Sequence, residues 1–316
     1  MAWKGKVVKL ELQQSEVFFR DEFVPFSEAN VSIASSPVLY GLSIYTVFSV
    51  SWNETDKKLY IFRLKDHYQR LLNSARIMDF HSFVTDWTYE KFEKTMLDLL
   101  GRNKIQEDAL VRVTVFIDEL AAGTKIHDLK NSVSAYVYPM GEILPRSGAH
   151  ACVSSWVRTP DNAIPSRAKV NGSYVNASLM KNEALLNGYD EAIAIDGHGH
   201  VAEGTVANLF IIRGGVLITP DQATDILEGI TRSSVMTLAK DLGISVQQRS
   251  VDRSELYMTD EMFMCGSSAR ITPILSVDKR SVGDGAIGPI TQQLMKKYES
   301  IQRSTDNSHT EWLQSA

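Results

Sequence analysis

Hydrophobic residues in the first 138 positions alternate between strand-like and helix-like spacing. Runs rich in valine, isoleucine, phenylalanine and tyrosine, broken by polar turns, predict strands. They cover residues 7–12, 17–24, 31–50 (interrupted at 35–37), 109–117 and 133–138, with a hairpin formed by 45–52 and 58–62. Apolar residues from 64 to 75 follow helical spacing, and a second helix is predicted from Thr88 to Leu100, closing at Gly101.

A stretch of turn residues at 139–150 separates this pattern from a second one. The interruption predicts a small N-terminal domain over 1–138, an interdomain linker over 139–150 and a larger domain over 151–316. In the larger domain the spacing predicts a mostly antiparallel sheet with helices, built from strands 151–157, 190–195, 207–212, 216–219, 246–249, 261–265 and 271–277 and helices 175–187, 230–242 and 288–300.

Composition and charge narrow the class of protein. The chain has 316 residues, 44% of them hydrophobic, and a net charge of -5, so it offers no bulk attraction to nucleic acid or to anionic lipid. Apolar runs stay well short of the roughly 20 residues needed to span a bilayer. The first residues mix charge into apolar positions and lack a signal-peptide core. Cys152 and Cys265 form no metal or redox spacing, and we expect a cytoplasmic protein.

Candidate chemistry begins at residues 168–174, AKVNGSY, which place a lysine and a tyrosine before an amphipathic segment. Lys169 lies between Ala168 and Val170, a neighbourhood compatible with burial. A buried lysine has a lowered pKa and can act as a neutral amine that attacks an aldehyde. We therefore interpret Lys169 as the Schiff-base lysine of an enzyme that uses pyridoxal 5'-phosphate (PLP). A single lysine is usually a solvated surface charge, so this interpretation depends on the other residues.

Three further motifs match the needs of that cofactor. Glu203 is a lone carboxylate before a glycine and an apolar strand, suited to a protonated pyridine nitrogen, although a turn glutamate facing water has the same pattern. Residues 227–232, LEGITR, precede a helix and predict a phosphate site, with an ordinary helix cap as the alternative. Residues 266–269, GSSA, predict a backbone site for phosphate or carboxylate.

These motifs, in this order, resemble those of class IV aminotransferases, and most closely the branched-chain amino acid aminotransferases. The resemblance runs from about residue 17 to about residue 298 and rests on KVNGSY at 169–174, GYDE at 188–191, EG at 203–204, NLF at 208–210, TP at 219–220, LEGITR at 227–232, DEMF at 260–263, GS at 266–267 and ITP at 271–273. It implies a two-domain α+β or α/β protein of fold type IV, similar to D-amino acid aminotransferase. It also implies a homodimer, with the active site between the domains and near the subunit interface.

The resemblance implies roles for particular residues. Lys169 matches the catalytic lysine, Glu203 the partner of the pyridine nitrogen and Tyr174 the partner of the ring's phenolate oxygen. Leu227 matches the residue packed on the ring, and the phosphate contacts match Arg70, Gly229, Ile230, Thr231 and Ser267. His67, near Arg70, is interpreted as a surface or packing histidine. No metal is expected.

Substrate positions depart from the branched-chain pattern. Tyr40-Gly41 is kept, but the following strand reads Tyr45-Thr46-Val47-Phe48-Ser49, where the family commonly has FEGIR. Arg112 keeps the arginine of a YxR motif whose tyrosine is Leu110 here, and an arginine facing the pocket favours a substrate carboxylate. A sheet-surface charge is the alternative for Arg112. The predicted substrate-binding residues are Tyr40, Tyr45, Val47, Arg112, Ser267 and Ser268.

The resulting hypothesis is a transaminase that moves the amino group of apolar, branched-chain L-amino acids to 2-oxoglutarate, so its small-molecule partners are an amino donor and a 2-oxo acid acceptor. Other reactions remain open at this point. Tyr45 and Val47 resemble the strand of (R)-selective amine transaminases, and a D-amino acid transaminase or aminodeoxychorismate lyase would use the same fold. A non-catalytic binding protein is a further alternative.

Overall fold

The computed structural model describes Leu12 and residues 15–316. The strand predicted over 7–12 therefore lies, except for Leu12, outside the described residues. The strands are β1 (Glu16–Phe19), β2 (Glu22–Pro25), β3 (Ser43–Asn53), β4 (Lys58–Phe62), β5 (Ala109–Ile117), β6 (Asn131–Pro139), β7 (Ala149–Val157), β8 (Glu191–Ile195), β9 (Val201–Gly204), β10 (Asn208–Arg213), β11 (Val216–Thr219), β12 (Val246–Gln248), β13 (Glu261–Gly266), β14 (Arg270–Val277), β15 (Arg280–Ser281) and β16 (Leu313–Ser315). The α-helices are α1 (Ser36–Tyr40), α2 (Leu64–Ile77), α3 (His81–Asp86), α4 (Tyr89–Arg102), α5 (Tyr174–Leu186), α6 (Ile230–Asp241) and α7 (Pro289–Gln302).

The described chain divides into two compact units. The first unit contains the described residues up to Met140, together with Ala168–Gly172 and Ile301–Ala316. The second unit contains Gly141–Arg167 and Ser173–Ser300. This division differs from the continuous segments proposed from the sequence, because two short stretches of the C-terminal half fold with the first unit. Composition marks a boundary where turn residues accumulate, whereas these two stretches join the first unit by backbone pairing with its strands.

In the first unit an antiparallel sheet has the order β16-β4-β3-β5-β6-β1-β2. The long strand β3 is an interior strand of this sheet and is buried along almost its whole length, because α2 packs on it and β4 and β5 flank it. The predicted β3–β4 hairpin is confirmed, with Val50 opposite Ile61. Helix α4 begins as predicted at Thr88, whose Oγ1 accepts a hydrogen bond from the N–H of Lys91.

In the second unit the sheet has the order β12-β11-β10-β13-β14-β7-β8-β9, with β15 on β14. Pairing is mostly antiparallel, but β11 with β12, β14 with β7 and β7 with β8 run parallel. The connection from β7 to β8 contains α5, and the one from β11 to β12 contains α6, as parallel neighbours require a crossover. The helix predicted at 230–242 is confirmed as α6, with Gly243 at φ 73° after it.

Several elements differ from the pattern-based prediction. Residues 31–42 were predicted as part of a strand, but they form a turn and helix α1, because Pro37 lies in the first turn of that helix and favours helix entry. Helix α3 and strands β9 and β16 were not predicted, since each is too short to show a period. β16 pairs with β4, and Arg303, the residue after α7, forms an ion pair with Asp108 at 2.6 Å.

Among the described residues, no helix combines the length and the apolar composition required to cross a membrane.

Two glycines of the first unit bring their backbones into direct contact. Gly41 has φ 69° and follows α1, and the N–H of Gly172 donates to its carbonyl oxygen at 3.2 Å. A Cβ added at Gly41 would lie 2.8 Å from the Cα of Gly172, which is backbone and cannot rotate away. This contact fixes one end of the stretch Ala168–Gly172.

We expect Gly41→Ala to lower the free energy of unfolding by about 2 kcal/mol or more, because it adds a backbone clash to a left-handed conformation that costs an L-residue about 1–2 kcal/mol. Gly123→Ala is the matched control: Gly123 has φ 85°, but among the described atoms none lies within 4 Å of an added Cβ. Urea unfolding of both variants measures the difference. Equal losses would show that the contact with Gly172 is unimportant.

Candidate active site

The backbone around Lys169 is paired on both sides within the first unit. The N–H of Tyr45 on β3 donates to the carbonyl oxygen of Lys169 at 3.0 Å, and the N–H of Lys169 donates to Oγ of Ser74 on α2 at 3.1 Å. Val170 forms an antiparallel bridge with Ile44. Lys169 is half-buried, and its neighbours Ala168 and Val170 are buried, as their apolar character indicated. The base of the lysine side chain is therefore fixed to the centre of the sheet.

Two cationic groups lie close to the ring of Tyr45. Lys169 Nζ is 4.9 Å from the ring centroid, and Arg112 Cζ is 3.7 Å from it. Arg112 on β5 is opposite Val47 on β3, and residues two apart on a strand share a face, so Arg112, Val47 and Tyr45 lie on one side of the sheet. Tyr45 and Val47 are buried and Arg112 is half-buried. Arg112 therefore lies against a buried tyrosine and not on a fully exposed sheet surface, and its pocket-facing orientation stays a prediction.

Asn171 joins the lysine stretch to Arg112. Its Oδ1 accepts a hydrogen bond from Arg112 Nη2 at 2.5 Å, and its Nδ2 donates to Oγ of Ser43 at 2.7 Å. Asn171 was assigned no role in the sequence analysis, where it appeared only within the stretch AKVNGSY. Its position two residues after Lys169 could have drawn attention to it. Without the strand register, however, that position does not show that Asn171 contacts Arg112.

The other face of β3 carries a polar cluster with α2. Thr46 Oγ1 accepts a hydrogen bond from Arg70 Nη2 at 3.2 Å and lies 2.8 Å from Nδ1 of His67. His67 is buried, and its ring packs 5.6 Å from that of Phe48, so its interpretation as a packing histidine is confirmed. Burial, and then the charges of Arg70, Arg63 and Lys169, hold the pKa of His67 well below its usual value. The neutral ring therefore shares a hydrogen bond with the Thr46 hydroxyl, and Thr46 in turn holds Arg70.

In the second unit, Glu203 is a buried carboxylate held by three donors. Its Oε1 accepts from Nε of Arg158 at 3.0 Å, while its Oε2 accepts from Nδ2 of Asn208 at 2.9 Å and from the N–H of Leu227 at 3.2 Å. Glu203 lies within β9 and is only 7% exposed, so the turn glutamate facing water is excluded. Arg158 was not identified in the sequence analysis. This residue follows β7, whereas Glu203 lies on β9, and only the folded chain brings the two together.

The start of α6 is built around the same residues. Gly229 is the N-cap, and Ile230 and Thr231 are the first helical residues, whose N–H groups have no partner within the helix itself. A Cβ at Gly229 would lie 1.9 Å from Oδ1 of Asn208, so a larger residue there would have to displace that side chain. Thr231 Oγ1 lies 3.5 Å from the hydroxyl of Tyr298. A helix N-terminus of this kind favours an anion.

The remaining predicted residues occupy separate positions. Tyr174 is half-buried at the first residue of α5, directly after a 3-10 turn at Asn171–Ser173. Ser267 and Ser268 form the turn between β13 and β14. Tyr40 ends α1 and is 43% exposed. Within the described ranges no group of three or more histidine, cysteine, aspartate or glutamate side chains is arranged to hold a metal ion.

Known proteins match this chain along most of its length. The family described as amino-transferase class IV matches residues 43–277. The chain belongs to the class IV aminotransferases. A probable branched-chain-amino-acid aminotransferase of Aquifex aeolicus is 41% identical to it over 298 residues, which cover 94% of this chain and 95% of the relative.

Solved structures of class IV aminotransferases share the fold. The branched-chain aminotransferase of Thermoproteus uzoniensis with norvaline has a TM-score of 0.91 and 36% identity, covering 95% of this chain and 99% of that one. The T.th. branched-chain amino acid aminotransferase complexed with N-(5'-phosphopyridoxyl)-L-glutamate has a TM-score of 0.89 and 34% identity. This match covers 96% of this chain and 99% of that one. The predicted family, fold and cofactor are confirmed: this chain is a transaminase that uses PLP, and the comparisons favour none of the alternative reactions.

The described residues fit PLP. The cofactor needs an amine, a carboxylate and an anion site, and the structure supplies Lys169 on a fixed backbone, Glu203 held by three donors and the helix start at Gly229. Glycine at position 229 leaves room for the side chain of Asn208 beside this helix start.

The lowered pKa of His67 predicts an acid-dependent loss of stability. A histidine with a depressed folded-state pKa takes up its proton more readily in the unfolded state, so the stability it supports is present above about pH 6.5 and falls as the pH drops below that value. For one proton, the free energy of unfolding then falls by up to about 1.4 kcal/mol for each pH unit. We expect His67→Gln to flatten the fall in free energy of unfolding between pH 7.5 and 5.5, as measured by urea unfolding.

His127→Gln is the control for this experiment. His127 is exposed, and Asp79 and Asp128 raise its pKa. Its removal should therefore leave the decrease in free energy of unfolding towards low pH unchanged or slightly steeper. The same pH dependence in His67→Gln and in the wild-type protein would contradict the neutral, buried state of His67.

Proposed function

We propose that this enzyme transfers the amino group of branched-chain L-amino acids to 2-oxoglutarate, with Lys169 as the catalytic lysine. The observation that carries the proposal is the placement of an amine and a guanidinium on the same tyrosine ring, with Lys169 Nζ at 4.9 Å and Arg112 Cζ at 3.7 Å from the centroid of Tyr45. One group acts on the carbon that bears the amino group and the other binds the neighbouring carboxylate. The named relatives and the glutamate adduct of the T.th. enzyme support this choice of donor and acceptor.

Lys169 is proposed to hold the cofactor and to move the substrate proton. When bound, PLP supplies an electrophilic aldehyde and a pyridinium ring that takes up the electron pair released at the substrate's Cα. Lys169 Nζ, as a neutral amine, would accept and carry the proton that leaves the substrate's Cα. Its backbone bonds to Tyr45 and Ser74 limit where this amine can reach.

The other cofactor residues are proposed to orient the ring and to bind the phosphate. Glu203 would accept a hydrogen bond from the protonated ring nitrogen, and its bonds to Arg158, Asn208 and Leu227 keep it oriented. Tyr174 would donate to the phenolate oxygen, and Leu227 would pack on the ring. The phosphate would be bound by Arg70, the start of α6 at Gly229, Ile230 and Thr231, and Ser267.

The substrate is proposed to be held by a polar and an apolar set of residues. Arg112, with the backbone N–H groups of Ser267 and Ser268, binds carboxylate. Tyr40, Tyr45 and Val47 contact the side chain, and the buried Val47 favours an apolar one. A cytoplasmic location, expected from the sequence, remains part of this proposal.

We expect purified, PLP-loaded enzyme to transfer amino groups from leucine, isoleucine and valine to 2-oxoglutarate, measured as glutamate formed. Lys169→Ala should lower the rate of this transfer by a factor of about 10³ or more, since the amine carries both the cofactor and the proton. Absence of transfer from all three donors would contradict the proposal. Faster turnover of (R)-1-phenylethylamine or of D-alanine would select one of the alternative reactions.

We further infer that the enzyme is a homodimer, since each unit exposes large apolar side chains. In the first unit Ile33 is 86% exposed beside α1, and in the second unit the exposed residues Val175, Leu179 and Leu186 share a stripe of α5. Light scattering should give twice the 35.3 kDa chain mass, and Leu186→Asp combined with Ile33→Asp should shift the protein towards the monomer. A wild-type mass of a single chain would contradict the dimer.

A further inference from the structure

The side chain of Asn171 is fixed in one orientation by its two partners. Arginine has no acceptor atom, so the group 2.5 Å from Arg112 Nη2 is the Asn171 carbonyl oxygen, and the amide nitrogen then faces Ser43 at 2.7 Å. Ser43 is buried at the start of β3, which anchors this end of the amide to the sheet. Asn171 therefore presents a single acceptor towards β5.

Arg112 is restrained by two contacts of different geometry. The ring of Tyr45, whose centroid lies 3.7 Å from Arg112 Cζ, restricts the plane of the guanidinium. The hydrogen bond to Asn171 fixes the rotation of the guanidinium within that plane. A long arginine side chain otherwise loses considerable rotamer entropy when it binds a ligand. Pre-orientation reduces that cost, and a planar fork aimed in one direction recognises a carboxylate with two parallel bonds.

We propose that Asn171 is a positioning residue that aims Arg112 at the carboxylate of the substrate. Because Asn171 lies two residues after Lys169 on the same stretch, the segment that carries the amine also sets the direction of the guanidinium. The enzyme then prefers substrates whose carboxylate is adjacent to the reacting carbon. This inference rests on the proposed function, since it assigns Arg112 to the substrate.

The test uses PLP-loaded enzyme and 4-methylvaleric acid, a monocarboxylic acid without an amino group. Binding of the acid is followed by the change it causes in the visible absorption band, so no turnover is needed. We expect Asn171→Ala to raise the Kd of the acid about tenfold, because a hydrogen bond to a charged group is lost. The visible band without acid should stay that of the wild-type enzyme.

Asn176→Ala is the matched control. Asn176 also makes two side-chain hydrogen bonds, accepting from the N–H of Thr159 and donating to the carbonyl oxygen of Val157, but neither partner is a candidate site residue. Its variant should keep the wild-type Kd. An unchanged Kd in Asn171→Ala, or equal increases in both variants, would overturn the inference.

A second variant covers the case in which Asn171→Ala does not fold. Asn171→Asp keeps an acceptor for Arg112 but adds a negative charge that competes with the acid, so its Kd should rise at least as much. An unchanged Kd would again overturn the inference. Failure of the proposed function has a different signature, because wild-type enzyme would then transfer no amino group from leucine, whereas failure of this inference leaves leucine activity intact.

Discussion

The pairing of residues 168–170 with strand β3 is the constraint on which the first unit's chemical groups depend. Buried backbone groups must be paired, and here the carbonyl of Lys169 accepts from the N–H of Tyr45 while its N–H donates to Ser74. The lysine backbone is thus tied to a sheet and a helix at once. A reactive amine with an immobile base reaches a limited volume, which general acid–base chemistry requires.

The alternation of side chains along β3 separates two tasks. Tyr45 and Val47 lie on the face shared with Arg112, where the substrate is proposed to bind. Thr46 lies on the opposite face and connects the neutral His67 to Arg70, the proposed phosphate ligand. The odd-numbered side chains of β3 thus include two proposed substrate residues, and the even-numbered Thr46 contacts the proposed phosphate ligand, so a register shift of one residue would disrupt both arrangements.

Most elements could be predicted because the hydrophobic pattern repeats over many residues. Their ends also carry clear signals, as at Thr88 for α4 and Gly243 for α6. The ordered motifs also led to the family and to the cofactor. Short elements such as β9 and β16 were missed because three or four residues show no period. The partners that orient the site, Asn171 for Arg112 and Arg158 for Glu203, were missed for another reason: each contact joins residues at least 45 positions apart, which only the folded chain brings together.

The most direct test of this account is the absorption spectrum of PLP-loaded protein, recorded for the wild-type chain and for Lys169→Ala before and after addition of L-leucine. If Lys169 holds the cofactor, the wild-type protein shows a visible band that L-leucine converts to a near-ultraviolet band. In Lys169→Ala the visible band should be altered or lost. A visible band that is identical in the two proteins would show that another group holds the cofactor, and the central role of Lys169 would then be wrong.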